Sequence, residues 1–140
     1  MYEHVLVPTD GSKRSANAVE NAIRIAERHG STIHALYVMD MGDAAFVATP
    51  SDIAETRQRL EKKGREYTLD VAERAEEAGV RCRTEVRSGI PEEEILEYAR
   101  DHDVDLIVMG KRGRSDPDKP AFGTITNRVI GSSDALVLAV

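Results

Sequence analysis

Short apolar runs alternate along the whole chain with longer stretches whose apolar residues recur at three- and four-residue steps. Such alternation is the signature of repeated strand-helix units around a mainly parallel sheet. The pattern predicts five strands and four helices. His4 to Pro8 forms the first strand, apolar throughout, and Pro8 marks the end of its ladder. Asp10 or Ser12 then caps a helix through Arg28, with Ala16, Val19, Ile23 and Ala26 as its inward stripe and Gly30 as its stop. Thr32 to Val38 is the second strand. Met39 to Ser51 has no period and is expected to be a loop. A long helix over Asp52 to Ala78 follows, turning Ile53, Leu60, Gly64, Tyr67, Val71 and Ala75 to one side.

The strand from Arg81 to Arg87 alternates Cys82, Thr84 and Val86 with charged residues, which predicts a wet face and a place near a sheet edge. Pro91 opens a short helix whose first turn carries Glu92, Glu93 and Glu94, where carboxylates complement the helix dipole; Ile95, Leu96 and Ala99 are expected to face inward. Asp105 to Met109 is the most strand-like run and is expected to be central. An irregular loop over Gly110 to Phe122, a helix over Gly123 to Ile130 and an apolar strand over Ala135 to Val140 complete the order.

Length and charge narrow the function. At 140 residues and 15.4 kDa the expected organisation is a single domain over 1–140. A net charge of -6 and a pI near 5.2 oppose a general affinity for nucleic acid or anionic lipid. No apolar run approaches the roughly 20 residues that span a bilayer, and no secretory pattern opens the chain, so no membrane association and a cytoplasmic location are expected. Cys82 is the one cysteine, which excludes an intramolecular disulfide, and in a strand it reads as a packed thiol.

One cluster carries chemistry: Gly110, Gly113 and Gly123-Thr124, directly after the Asp105–Met109 strand. Glycines there let the backbone turn with positive φ and approach a ligand, and a helix starting at Gly123-Thr124 offers unpaired N–H groups to an anion. Thr124 and Thr126 add hydroxyls, and Lys111, Arg112 and Arg114 add positive charge. The alternative is a tight exit turn with Gly123 capping a helix. Neither the P-loop pattern nor Gly-x-Gly-x-x-Gly occurs, which weakens kinase, GTPase and dehydrogenase readings.

The segment Asp105 to Val140 resembles the carboxyl-terminal signature of the universal stress protein family. Val5-Leu6-Val7-Pro8-Thr9-Asp10-Gly11-Ser12 resembles its opening strand and turn, and Tyr37-Val38-Met39-Asp40 the end of its second strand. The glycine spacing is similar to that of the ATP-binding branch. The resemblance implies a doubly wound α/β fold with a five-stranded parallel sheet in the order 3-2-1-4-5, and a ligand at the reversal between the first and fourth strands.

On that resemblance Pro8, Thr9 and Asp10 form one lip of a crevice and Met109 and Gly110 the other. Val38 lies against adenine, and Gly110, Arg112, Gly113, Gly123, Thr124, Ile125 and Thr126 surround the phosphates. Asp10 holds the ribose or a magnesium or manganese ion bridging the phosphates; its alternative role is to cap the following helix. The cofactor implied is ATP, ADP or AMP. Between Gly113 and Gly123 the sequence departs from the family pattern, with Asp116, Pro117, Asp118 and Pro120 in place of a Gly- and Leu-rich stretch.

No nucleophile-base pair is evident around His4, His29, His34 or His102, and the His-x-Gly-His signature of related nucleotidyl-transferring enzymes is absent. A stress-response regulatory module that binds nucleotide is therefore expected, with slow ATP hydrolysis as one alternative. The other is a dimeric interaction protein of the same fold without a nucleotide. The uncharged strand 135–140 would leave a bare edge, so a homodimer through it is expected, as the resemblance also implies.

Overall fold

The computed structural model describes residues 2–41, 49–111 and 124–140. Its elements are β1 (His4–Pro8), α1 (Lys13–His29), β2 (Thr32–Met39), α2 (Pro50–Glu77), β3 (Cys82–Ser88), α3 (Pro91–Asp101), β4 (Leu106–Met109), α4 (Thr124–Ser132) and β5 (Leu136–Ala139). The five strands are parallel in the order β3-β2-β1-β4-β5, as the strand-helix alternation requires. β1 is thus the middle strand. β4 is fully buried but lies one place off centre, and β3 and β5 form the two edges.

The period of two divides the core cleanly. Val5, Val7, Ile33, Ala35, Leu106 and Val108 face α1 and α2, where they meet Ala18, Val19, Ala22, Ala26, Val71 and Ala75. Leu6, Leu36, Ile107 and Met109 point the other way, onto Ile95, Tyr98 and Ala99 of α3 and Val129 of α4. This second face also buries a polar side chain completely. His34 is fully buried, with one ring nitrogen 3.0 Å from His4 Nδ1 and the other 2.6 Å from the Tyr98 hydroxyl.

Local chemistry sets the helix ends. Ser12, rather than Asp10, caps α1, its hydroxyl accepting from the Ser15 N–H at 3.2 Å. Gly30 ends that helix in the left-handed region, at φ 67°. The buried stripe of α1 is Ser15, Ala18, Val19, Ala22 and Ala26; Ala16 and Ile23, expected to face inward, lie at its flanks and are only half-buried. α2 starts two residues before the expected Asp52. Thr49 and Asp52 form a reciprocal capping box, and Pro50 sits at the first helical position, where its missing N–H costs no hydrogen bond. On α2, Thr68 joins Gly64, Val71 and Ala75 in the interior, and Ile53, Leu60 and Tyr67 are only half-buried. The thiol of Cys82 is half-buried and burial pushes its pKa up to about 11, so it stays protonated at neutral pH. Among the described residues no helix is long and apolar enough to cross a membrane.

Gly64 tests which force sets the α2–sheet spacing. Alanine is the better helix former by about 1 kcal/mol, but a Cβ here would lie 2.5 Å from Tyr37 Cδ1 and 3.1 Å from Val86. Overpacking of this kind costs about 1–3 kcal/mol. Gly64→Ala is therefore expected to lower the unfolding free energy in urea titration despite its propensity; an increase would show that the helix can shift without loss.

Candidate functional site

At the reversal of strand order the connections leaving β1 and β4 run to opposite faces of the sheet, and a crevice opens between them. The cavity there measures about 320 Å³. Pro8, Thr9 and Asp10 come from the end of β1, Val38 from β2, Met109 and Gly110 from the end of β4, and Thr124, Ile125 and Thr126 from the first turn of α4. These sequence-predicted residues are brought together as neighbours. Arg112, Gly113 and Gly123, together with Arg114 to Phe122, lie outside the described residues.

The β1 lip is a preorganised turn. Thr9 is buried; its N–H donates to the Leu36 carbonyl at 2.8 Å and its hydroxyl to Ser15 Oγ at 3.3 Å. Asp10 is exposed, and its Oδ1 accepts the Ser12 N–H at 2.9 Å, which closes the turn before α1. Desolvation raises the Asp10 pKa, but hydrogen bonds from Ser12 and Ser15 and the Arg14 charge outweigh it, so the carboxyl sits below its ordinary value and is ionised at neutral pH. Gly11 adopts φ 78°, with the Tyr67 ring 2.5 Å from where a Cβ would be; a side chain there would be both strained and blocked. Tyr67 in turn meets Tyr37 edge-on, with ring centroids 5.8 Å apart.

Gly110 serves a different need from the one its position in sequence suggests. Its φ is not positive; instead α1 passes so close that a Cβ would lie 2.6 Å from the Arg14 carbonyl oxygen. The Gly110 carbonyl accepts from the Thr126 hydroxyl at 3.2 Å. That bond fastens the start of α4 to the end of β4 and engages the one hydrogen of a buried hydroxyl. Thr126 is thus a fastener at the cavity wall, whereas Thr124 is exposed at its mouth.

Sequence reasoning missed several lining residues: Arg14 and Ser15 from α1, Leu36 and Tyr37 from β2, and Pro91 and Ile95 from α3. Arg14 brings positive charge to the crevice from the described part of the chain. Burial, and after it Tyr67 and the Asp10 charge, push the Tyr37 phenol above its ordinary pKa, so it remains a neutral wall. The signal for Pro91 and Ile95 was present in the inward stripe of α3, but which strand end that stripe covers depends on sheet order. Among the described residues no group of three or more His, Cys, Asp or Glu side chains could hold a metal ion alone. The crevice can therefore take a ligand with an apolar ring and an anionic tail, but has no nucleophile-base pair among its described lining residues.

The universal stress protein family model matches residues 1–140. Universal stress protein MJ0531 of Methanocaldococcus jannaschii is 36% identical over 145 residues, covering 100% of this chain and 82% of that protein. The solved structure of protein MJ0577, from the same organism, superposes with a TM-score of 0.87 at 27% identity, covering 100% of this chain and 96% of that one. A universal stress protein crystallised in complex with cAMP superposes with a TM-score of 0.71 at 26% identity, over 99% of this chain and 96% of that one. With the family model matched across its whole length and the same strand order observed, the chain belongs to the universal stress protein family.

Proposed function

We propose that this protein binds an adenine nucleotide, ATP or its ADP or AMP forms, in the crevice between β1 and β4, as a regulatory module rather than an enzyme. The observation that carries the reading is the convergence of an apolar slot and an anion-binding end in one cavity. Val38 and Met109 offer apolar surface for a base. The first turn of α4, with Thr124 at the mouth and the helix dipole behind it, faces the same space, and Arg14 lines it. Asp10, ionised and held by Ser12, suits a ribose hydroxyl. The cAMP complex of a family member at 26% identity supports an adenine nucleotide as the ligand class. Arg112, Gly113 and Gly123 belong to this proposal as the residues that wrap the phosphates, and membership of the ATP-binding branch is part of the same reading.

A magnesium or manganese ion fits as a companion of the phosphates. Among the described lining residues Asp10 is the one carboxylate, with one oxygen already accepting from the Ser12 N–H, so a metal held there would draw other ligands from phosphate oxygens and water. Such an ion would offset charge on the phosphates; the chain's own residues orient the nucleotide and shield its base.

ATP with magnesium is expected to raise the melting temperature, as any ligand specific to the folded state must. Unchanged melting together with no calorimetric heat would defeat the nucleotide reading. Asp10→Asn is expected to weaken nucleotide binding about tenfold, equivalent to ~1.4 kcal/mol, while leaving ligand-free melting close to that of the parent. An equal affinity in titration calorimetry would remove Asp10 from the site.

A second part of the reading concerns assembly. β5 is an edge strand, and its Leu136 and Leu138, 61% and 38% exposed, give that edge an uncovered apolar surface that a second copy would cover. Leu138→Lys is expected to convert a dimer to monomer in light scattering, and a native monomer would refute pairing through this edge.

A further inference from the structure

On the α3 face of the sheet, away from the crevice, four aromatic side chains form one array. His34 on β2 is fully buried, and its Nε2 lies 3.0 Å from His4 Nδ1 on β1 while its Nδ1 lies 2.6 Å from the Tyr98 hydroxyl on α3. Tyr98 stacks on His102 one turn later, with ring centroids 3.9 Å apart, and the His102 ring in turn lies 5.6 Å from that of His34. We propose that this His4–His34–Tyr98–His102 array is a proton-operated latch that seats α3 on the sheet and thereby holds the helix-side wall of the crevice.

The charges around the array explain why a proton is disfavoured in place. From β1 comes His4, whose backbone N–H donates to Asp105 Oδ2 at 2.9 Å, just ahead of β4. From β3 come Arg83, Glu85, Arg87 and the neutral Cys82; from α3 come Glu94, Asp101, Tyr98 and His102. The carboxylates that could balance an imidazolium are directed elsewhere. Glu85 pairs with Arg87, which also lies 3.7 Å from Glu94 and 3.8 Å from Asp101 and sits over the Tyr98 ring at 4.9 Å. A cation at His34 would be desolvated, without a carboxylate partner, and faced by two other histidines and Arg83. Were His4 charged as well, two N–H groups would oppose each other across 3.0 Å.

Burial first, and then His4, His102 and Arg83, lower the His34 pKa from 6.5 to about 4. An opened state that returns the ring to water recovers the ordinary value and binds a proton that the closed state lacks. The latch is therefore fully closed above pH ~6.5 and is weakened as the pH falls toward 4. α3 is the element that gives way. β2 is paired on both sides within the sheet, whereas α3 covers the surface, begins without a side-chain cap and is joined to α4 by the Glu92–Arg128 pair at its first turn. Tyr98 and His102 share a helical face with Ile95, and Ile95 and Pro91 line the crevice. Lifting that face removes the wall.

The ligand side of this inference rests on the nucleotide reading above, and the test separates the two. Amide exchange would be followed by mass spectrometry at about pH 7.5 and 5.5, corrected for intrinsic rates, with ATP–magnesium affinity measured at both. One proton taken up over this interval predicts an about tenfold larger opened population of α3 at the lower pH, read as about tenfold faster corrected exchange, with α1 unchanged. Affinity is expected to fall further in the parent than in His34→Gln, which keeps a polar side chain but cannot titrate. Histidine carbon-13 shifts of the parent give a second readout that needs no variant, with His34 expected to remain neutral at pH ~5.5. If α3 loosens in acid but ATP–magnesium binds at neither pH, the nucleotide reading fails and the latch stands. If α3 protection is independent of pH, or falls only in step with α1, or if His34 titrates near its ordinary value, the latch is overturned.

Discussion

The pairing of β1 with β2 on one side and β4 on the other is the constraint on which the remaining structure depends. Because every strand is parallel, each connection must return across a face of the sheet, and such returns are right-handed in nearly all proteins. Leaving β1 toward one side and β4 toward the other, the chain cannot close the space above their carboxyl ends. A crevice at this point is a topological result, and the side chains that line it are those that happen to end the middle strands.

What fills the sheet faces then determines how firmly the crevice is framed. On the α1 and α2 side the buried core cluster is aliphatic, much of it alanine, so the helices lie close; the near contact of Gly110 with the Arg14 carbonyl is one outcome. The α3 side is packed in part by rings and hydrogen bonds around His34. Aliphatic packing tolerates a change of pH, whereas a buried imidazole does not. The two faces of one sheet thus answer differently to the same solution conditions.

Much of this was legible in the sequence for a physical reason. The unbroken apolar run Leu106 to Met109 and the charge-alternating run after Cys82 differ because one strand is covered on both faces and the other is half wet, and the structure places them in the interior and at an edge accordingly. Pro8, Thr9, Asp10, Met109 and Gly110 could be put at strand ends because such ends and turns are written locally; that these ends meet came from the strand order the family resemblance implies. Tyr37, Arg14, Pro91 and Ile95 were not, since their arrival at the crevice depends on which strands become neighbours. The start of α2 was misplaced because Pro50 reads as a breaker unless the capping pair Thr49 and Asp52 is recognised. His34 looked like an ordinary strand residue; only the register that sets it between His4 and Tyr98 reveals its environment.

The two margins of the sheet are unlike. β5 offers Leu136 and Leu138, whereas β3 carries Arg83, Glu85 and Arg87. Any strand that joins the greasy margin therefore finds only a hydrated, charged margin left on the far side, hostile to a further addition. Pairing of two copies through β5, as proposed, would therefore end growth after one step: the polarity of its borders would let this sheet be extended once without seeding a filament.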